Sequence, residues 1–272
     1  MEKSINIKTK LIYISIANFV FFLEIDTVDD LNVQKALKLF ITQYYKNIFI
    51  EKPKKIDYRI TFIAEENIHL IQKEEIKDHT TFYLRTFAFG EKRAFVDYHV
   101  SIVHFQMLLK IILQKLLTKN EGFLLHASAV CNSKFAYVFL GKNGAGKSTI
   151  AQNLTKYYKK FADDTVIARK IQNQWHAFQM PIEKQIDPLK KIPPKNIHAL
   201  FLIQKNTETQ FLALSKQDKV AVLLEQILGK VQNNKQMQTI TRFMEEVPDF
   251  KILACQKKAE VKKIKDYFDS LI

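Results

Sequence analysis

Nine consecutive residues, Gly141, Lys142, Asn143, Gly144, Ala145, Gly146, Lys147, Ser148 and Thr149, have types and spacing suited to holding a polyphosphate. Gly141, Gly146, Lys147 and Ser148 complete the pattern GxxxxGK[ST]. Backbone N–H groups can wrap phosphates only where no side chain blocks the approach, and glycine meets that condition. Of the six glycines in the chain, three, Gly141, Gly144 and Gly146, fall inside this loop. The preceding run KFAYVFL reads as a buried strand, and a helix starting near Lys147 would add free N–H groups and the positive end of its dipole. Lys147 can then reach the outer phosphates, and the Ser148 hydroxyl can serve a magnesium ion. The expected ligand is a nucleotide with Mg2+, and the loop by itself serves ATPases, GTPases and kinases alike.

Two further groups flank the loop. Upstream, GFLLHASAV at 122–130 reads as an apolar strand carrying His126, fifteen residues before Gly141. Downstream, FADDTVIAR opens a β-rich run with adjacent Asp163 and Asp164, the first of them sixteen residues after Lys147. Phosphoryl transfer asks little covalent work of a protein, so catalysis rests on positioning and charge neutralisation. A hydroxyl nucleophile also gains from a carboxylate that accepts its proton, typically about 10²–10⁴ in rate. On a strand, neighbouring aspartates point to opposite sides, so only one of the pair can face the acceptor squarely unless the strand ends there. His126 either hydrogen-bonds an active-site Asp or phosphate oxygen or is a satisfied core residue.

Together, the LHAS run, the GKNGAGKS loop and the ADD pair resemble the HPr kinase/phosphorylase superfamily, whose catalytic core is related to that of ATP-dependent phosphoenolpyruvate carboxykinase. The resemblance covers about residues 120–205. It implies an ATP-dependent kinase that transfers the terminal phosphate to a serine-type hydroxyl of a peptide or protein. It further implies Asp163 as base, with Lys147 and His126 also catalytic, and Ser148 and Asp164 on the magnesium ion; the two aspartate roles could be exchanged. The same residues would serve a small-molecule kinase acting on free serine, or a module that senses nucleotide without transferring phosphate. The glycine- and arginine-bearing segment that HPr kinases carry toward their C-terminal end is not found, so the resemblance does not extend to HPr as acceptor. A full carboxykinase is much longer and needs further metal and oxaloacetate residues that this sequence does not show, so that activity is not expected.

The elements that must position these residues follow from periodicity. The chain has 272 residues, 47% of them apolar, enough for one large or two modest cores. The expected architecture is α/β: a P-loop core of the HPr kinase/carboxykinase kind over 120–272, and a smaller α+β domain with an antiparallel sheet over 1–119, separated at the polar break TKNEG. In the first part, 11–25 reads as one strand and 30–47 as a helix. IDYRITFIAEE, NIHLIQK, TTFYLRTFAF and KRAFVDYHV then alternate like an antiparallel meander. Residues 101–118 return to helix, with Ile102, Phe105, Leu109, Ile112 and Leu116 on one face. In the second part the spacing predicts a loop helix over 147–159, two strands over 162–180, a proline-interrupted segment from Ile182 to Asn196 as a substrate-facing loop or plain connector, and a strand over 196–205. Helices follow near 217–229 and 233–246, and a last one carries Val261, Ile264, Phe268 and Leu271.

Charge and composition limit the partners. The net charge is +14, and residues 121–272 hold +10 of it, from 24 basic and 14 acidic side chains. Such a field attracts acidic peptides, nucleic acid or anionic surfaces, or reflects lysines that merely cover solvated faces; the interleaving of arginine and aromatic residues typical of nucleic-acid sites is missing. The run LIYISIANFVFFL after Lys3, Lys8 and Lys10 imitates a leader, yet Glu24 and Asp26 stand where small cleavage-site residues belong. No stretch reaches the length of a membrane span, so a cytoplasmic location and no membrane partner are expected. Cys131 and Cys255 form neither a CxxC site nor a disulfide framework and read as reduced core residues.

Overall fold

The computed structural model describes residues 11–25, 29–64, 87–181, 192–229, 231, 233–256 and 260–272. The chain divides into two compact units, Met1–Ile111 and Ile112–Ile272. Both contain helices and mixed sheets, an α/β fold.

In the first unit, β1 (Leu11–Ile16) and β2 (Phe19–Glu24) pair antiparallel and are followed by α1 (Leu31–Tyr45), β3 (Tyr58–Ile63), β4 (Phe87–Phe89) and β5 (Arg93–Asp97). The single strand expected over 11–25 is therefore a hairpin. Ala17 and Asn18 turn it with φ of +49° and +61°, the left-handed pair that a two-residue hairpin turn requires. The antiparallel sheet expected for this part is corrected as well. The strand order is β1-β2-β3-β5-β4, with β2–β3 and β3–β5 parallel and only the outer pairs antiparallel. The reason is α1, which carries the chain back to its starting end and lets β3 enter alongside β2 in the same direction. Period-two alternation marks strands but does not state their direction. The expected strand NIHLIQK and most of TTFYLRTFAF lie outside the described residues.

Asp30 starts α1 by accepting the backbone N–H groups of Asn32 and Val33, and the helix buries Leu37, Ile41 and Tyr45. The Tyr45 ring meets Phe105 edge-on, with centroids 5.5 Å apart. Phe105 belongs to α2 (Ile102–Lys119), whose fully buried residues are Phe105, Leu108, Leu109, Ile112, Leu113 and Leu117. The stripe is thus wider than expected, and Leu117 rather than Leu116 ends it.

The second unit is built on a nine-stranded mixed sheet. Its strands are β6 (Gly122–His126), β7 (Ser128–Cys131), β8 (Phe135–Leu140), β9 (Lys159–Ala162), β10 (Thr165–Ile171), β11 (Gln174–Gln179), β12 (Lys195–Lys205), β13 (Gln210–Ala213) and β14 (Asp249–Cys255). Its helices are α3 (Lys147–Asn153), α4 (Lys216–Gln226), α5 (Asn234–Glu246) and α6 (Val261–Ser270). β8, β12 and β14 run parallel at the centre, and the other pairs are antiparallel. Alternation along β8 explains its continuous apolar run. Ala136, Val138 and Leu140 enter a core with Phe123, Trp175 and Phe243, while Tyr137 and Phe139 enter another with Phe201, Ile264 and Phe268. Both faces of that strand are covered. Cys131 and Cys255 are free and buried, and burial pushes both thiols up.

Two local expectations change here. The run 122–130 is two strands, because the chain leaves the sheet at Ala127: β6 pairs with β10, whereas β7 pairs with β8 and β9. The loop helix is shorter than 147–159. It ends at Asn153, and the N–H groups of Tyr157 and Tyr158 both return to the Leu154 carbonyl, closing a tight turn before β9. Most of the proline-interrupted segment lies outside the described residues.

Candidate functional site

The strand β8 delivers the chain to the glycine loop, and α3 leaves it. Gly141, Gly144 and Gly146 have φ of +144°, +76° and +108°, backbone that L side chains rarely adopt. At Gly141 space is short too: a Cβ there would stand 3.1 Å from Ala145 Cβ and 3.3 Å from the Ile203 carbonyl oxygen. The loop is closed by the Ala145 N–H donating to the Lys142 carbonyl at 3.0 Å. Lys147 is only 7% exposed, and its Nζ donates to the carbonyls of Gly141 at 2.6 Å and Lys142 at 3.3 Å. Burial holds its ammonium below the usual lysine range, and the Asp164 carboxylate acts in the opposite direction.

Asp163 and Asp164 form the two-residue link between β9 and β10, and they face different partners. The Asp163 carboxylate lies 2.7 Å from Lys160 Nζ, with the two side chains 10% and 9% exposed, a buried ion pair. Its backbone carbonyl accepts Ser128 Oγ at 2.6 Å and Ser148 Oγ at 3.4 Å, and those two hydroxyls are 3.3 Å apart. The Asp164 side chain is 59% exposed, with Oδ1 3.6 Å from His126 Nε2 and Oδ2 accepting the Thr165 hydroxyl at 3.1 Å. Register explains the meeting. His126, the last residue of β6, stands opposite Thr165, the first of β10, and the N–H of Ala127 donates to the Asp164 carbonyl at 3.0 Å.

The residues expected from the sequence are thus gathered in one place, with a division of labour inside the aspartate pair. Lys147 and Asp164 present charge on the loop side with the His126 imidazole beside them, while Asp163 contributes its carbonyl and buries its carboxylate against Lys160. Sequence reasoning missed three residues. Ser128 lay in the HAS run next to His126, and Lys160 lay one turn before Asp163 in sequence, so both were in view. Gln226 carried no such sign. Buried at the end of α4, its side-chain amide sits 2.9 Å from the Gly141 carbonyl and 3.3 Å from the His126 carbonyl, satisfied when its nitrogen donates to both. Trp175 is a core residue, packed on Phe123 and Phe243. Arg169 stands opposite Gly122, at the other end of the β6–β10 pair from the loop.

Beside the loop opens a cavity of about 690 Å³. Ile150, Ile203 and Cys255 give it apolar walls, Gly144 to Gly146 and Thr149 its glycine-loop side, and Lys205, Asn206, Thr207 and Gln256 a polar end. The Asn206 N–H donates to the Cys255 carbonyl at 3.0 Å, which fixes that end to the last residue of β14. A cavity with apolar walls and a few placed amides suits a flat heterocycle, and the loop suits the phosphates attached to it. Ser148 and Asp164 offer oxygen donors, the ligand type that magnesium takes.

Residues 91–247 match the family described as SynChlorMet cassette protein ScmC, and the chain belongs to that family. The glycine loop, His126 and both aspartates lie inside the matched segment. Among solved structures, an HPr(Ser) kinase/phosphatase from Coxiella burnetii is similar over 54% of this chain and 95% of that chain, at 12% identity and a TM-score of 0.25. At that score the two backbones do not establish a shared fold. No curated protein matches the sequence.

Proposed function

We propose that this protein binds ATP with magnesium at residues 141–149 and transfers the terminal phosphate to a serine-type hydroxyl of a peptide or protein. One observation carries the reading: a buried lysine at the centre of a loop of three left-handed glycines, acted on by Asp164, which lies beside His126. Lys147 is held by loop carbonyls that an incoming phosphate oxygen would outcompete, since an ion pair at a buried site exceeds a neutral hydrogen bond. In the transfer, the acceptor oxygen forms its bond to phosphorus as the bridging oxygen leaves on the diphosphate. The acceptor proton passes to a carboxylate. Asp164 fits that task because it is exposed to an acceptor and His126 stands by to stabilise its charge. Asp163, expected as the base from the sequence, would then be a positioning residue that fixes Ser148 through its carbonyl. Magnesium, held through the Ser148 hydroxyl, would supply charge neutralisation on the phosphates, which leaves the Asp164 carboxylate to take the proton.

The cavity beside the loop would take the nucleoside, and the +10 charge of residues 121–272 would favour an acidic acceptor. An ATP-dependent reaction of this kind belongs in the cytoplasm, and no described helix is long and apolar enough to cross a membrane.

The test combines binding with transfer. Mg-ATP is expected to raise the melting temperature of the wild-type chain and to leave Lys147→Ala unmoved, as linkage requires of a ligand that prefers the folded state. Terminally labelled ATP is then offered with serine peptides of graded acidity and with free serine. If neither ATP nor GTP shifts melting, the nucleotide reading fails. Transfer to free serine alone makes this a small-molecule kinase, and binding without transfer to any acceptor makes it a nucleotide sensor.

A further inference from the structure

Ser128 opens β7, a strand of four buried residues, and its side chain is fully removed from water. Burying a hydroxyl is unfavourable unless it is hydrogen-bonded, so the directions of its proton and lone pairs carry information. Ser128 Oγ lies 2.6 Å from the Asp163 carbonyl oxygen. A carbonyl has no proton to give, so at that distance the single proton of Ser128 is committed to Asp163. Toward any other group, Ser128 Oγ can only accept.

This fixes the direction of the next contact. Ser148 Oγ stands 3.3 Å from Ser128 Oγ and 3.4 Å from the same Asp163 carbonyl. Both neighbours are acceptors, so the Ser148 proton turns toward them and is shared. Each contact is long and neither is strong alone, but together they stop the hydroxyl from turning. The lone pairs of Ser148 are thereby directed away from Ser128 and Asp163. A cation needs those lone pairs; a hydroxyl turned the other way would present its proton to the ion. The two acceptors are themselves held. Ser128 stands opposite Phe139 in the ladder between β7 and β8, the strand that leads into Gly141, and the Asp163 side chain is anchored on Lys160 at 2.7 Å.

We propose that Ser128 is a positioning residue for magnesium: with the Asp163 carbonyl it takes the Ser148 proton and keeps the Ser148 lone pairs turned outward as a metal ligand. The inference rests on the nucleotide reading given above, and it assigns Ser128 no contact with metal, nucleotide or acceptor. Groups behind a metal ligand commonly set metal affinity within about ten- to a hundred-fold. A plain strut between β7 and the link from β9 to β10 would behave differently, because a strut acts whether or not Ser148 has a hydroxyl.

The measurement is the gain in ATP affinity on adding Mg2+, taken calorimetrically on the full chain as the ratio of Kd without and with the metal. Ser128→Ala is expected to cut that gain about ten-fold while ATP without metal binds as it does to the wild type, which also shows that the variant folds. Ser128→Cys keeps a similar size but donates and accepts weakly, and it should lose the gain in the same way, so a packing defect in one variant does not decide the result. Ser148→Ala removes the ligand itself and should lose at least as much. In the Ser148→Ala background, Ser128→Ala should then cost nothing further, since it acts only through that hydroxyl. Mn2+ with ATP, followed by electron paramagnetic resonance, should rank the variants in the same order without any turnover. An equal loss from Ser128→Ala in both backgrounds would make Ser128 a strut and overturn the proposal, as would an undiminished metal gain in a Ser128→Ala protein that binds ATP. A wild-type chain that binds no ATP would instead overturn the nucleotide reading, and this inference with it.

Discussion

At the loop end of the β6–β10 pair, Lys147 is buried and its charge is opposed by desolvation; at the other end, five cationic side chains, Lys119, Arg169, Lys170, Lys235 and Arg242, line a pocket, with Lys170 paired to Glu246 and Arg242 to Glu121. The two ends keep positive charge in two different ways. A single ammonium removed from water exerts a strong, little-screened field, but only where the loop directs it. A cation at the surface, such as Arg242 in its pair with Glu121, is weaker and screened by salt. The loop end should therefore be sensitive to geometry, and the far end to ionic strength.

The sharpest test of the loop end contrasts the two aspartates. Asp164→Asn is expected to lower phosphate transfer by about 10³-fold with little change in melting, because it removes an exposed proton acceptor. Asp163→Asn should instead cost about 3 kcal/mol of stability, since it strands the buried Lys160 charge. Denaturant unfolding of both variants beside their transfer rates decides it. Unchanged melting with lost transfer in Asp163→Asn would return the base role to Asp163.

A smaller effect is expected at Gln226. Gln226→Leu keeps the volume but removes one donor from the His126 carbonyl and one from the Gly141 carbonyl, which Lys147 still serves, at a cost of about 1 kcal/mol. Mg-ATP affinity should fall with it, because Gly141 opens the loop. Full affinity in a destabilised variant would show that the loop holds its shape without this tether.

The smallest effect concerns pH and the core rather than either end. Burial, with the Asp269 charge, pushes the Tyr137 hydroxyl up to about 12 from an ordinary value of 10.0. The unfolded chain then releases this proton first, so stability held below about pH 10 is lost as pH rises toward 12. Tyr137→Phe should lack that loss. Among the described residues the hydroxyl has no hydrogen-bond partner, so near neutral pH the substitution should be neutral or stabilising by up to about 1 kcal/mol. A difference from wild type that stays flat between pH 9 and pH 12 in urea unfolding would refute the linkage.

Much of the fold was legible because periodicity reports burial directly. The helices near 30–47, 101–118, 217–229 and 233–246 and the strand near 196–205 all occur close to their expected bounds. Strand direction was not legible, since an alternating run looks the same whichever way its neighbour runs, and the first sheet is mixed for that reason. Breaks inside apolar runs were also hidden. Nothing in LLHASAV marks Ala127 as the point where the chain changes partners, because that depends on which strands arrive beside it.

What the sequence by itself determined is the glycine loop. Its conformation is a local matter, decided by which residues tolerate positive φ, and three glycines at the right spacing suffice to state it. It also brought His126 and the aspartate pair into view, by type and by distance along the chain. Only the tertiary structure decided which aspartate faces Lys147, because that rests on Lys160 capturing the other carboxylate and on β6 and β10 meeting in register. The same is true of Gln226 and of the cationic pocket. Their residues are scattered from 119 to 242 in the chain, and the charges become neighbours only when the sheet and α5 bring them together.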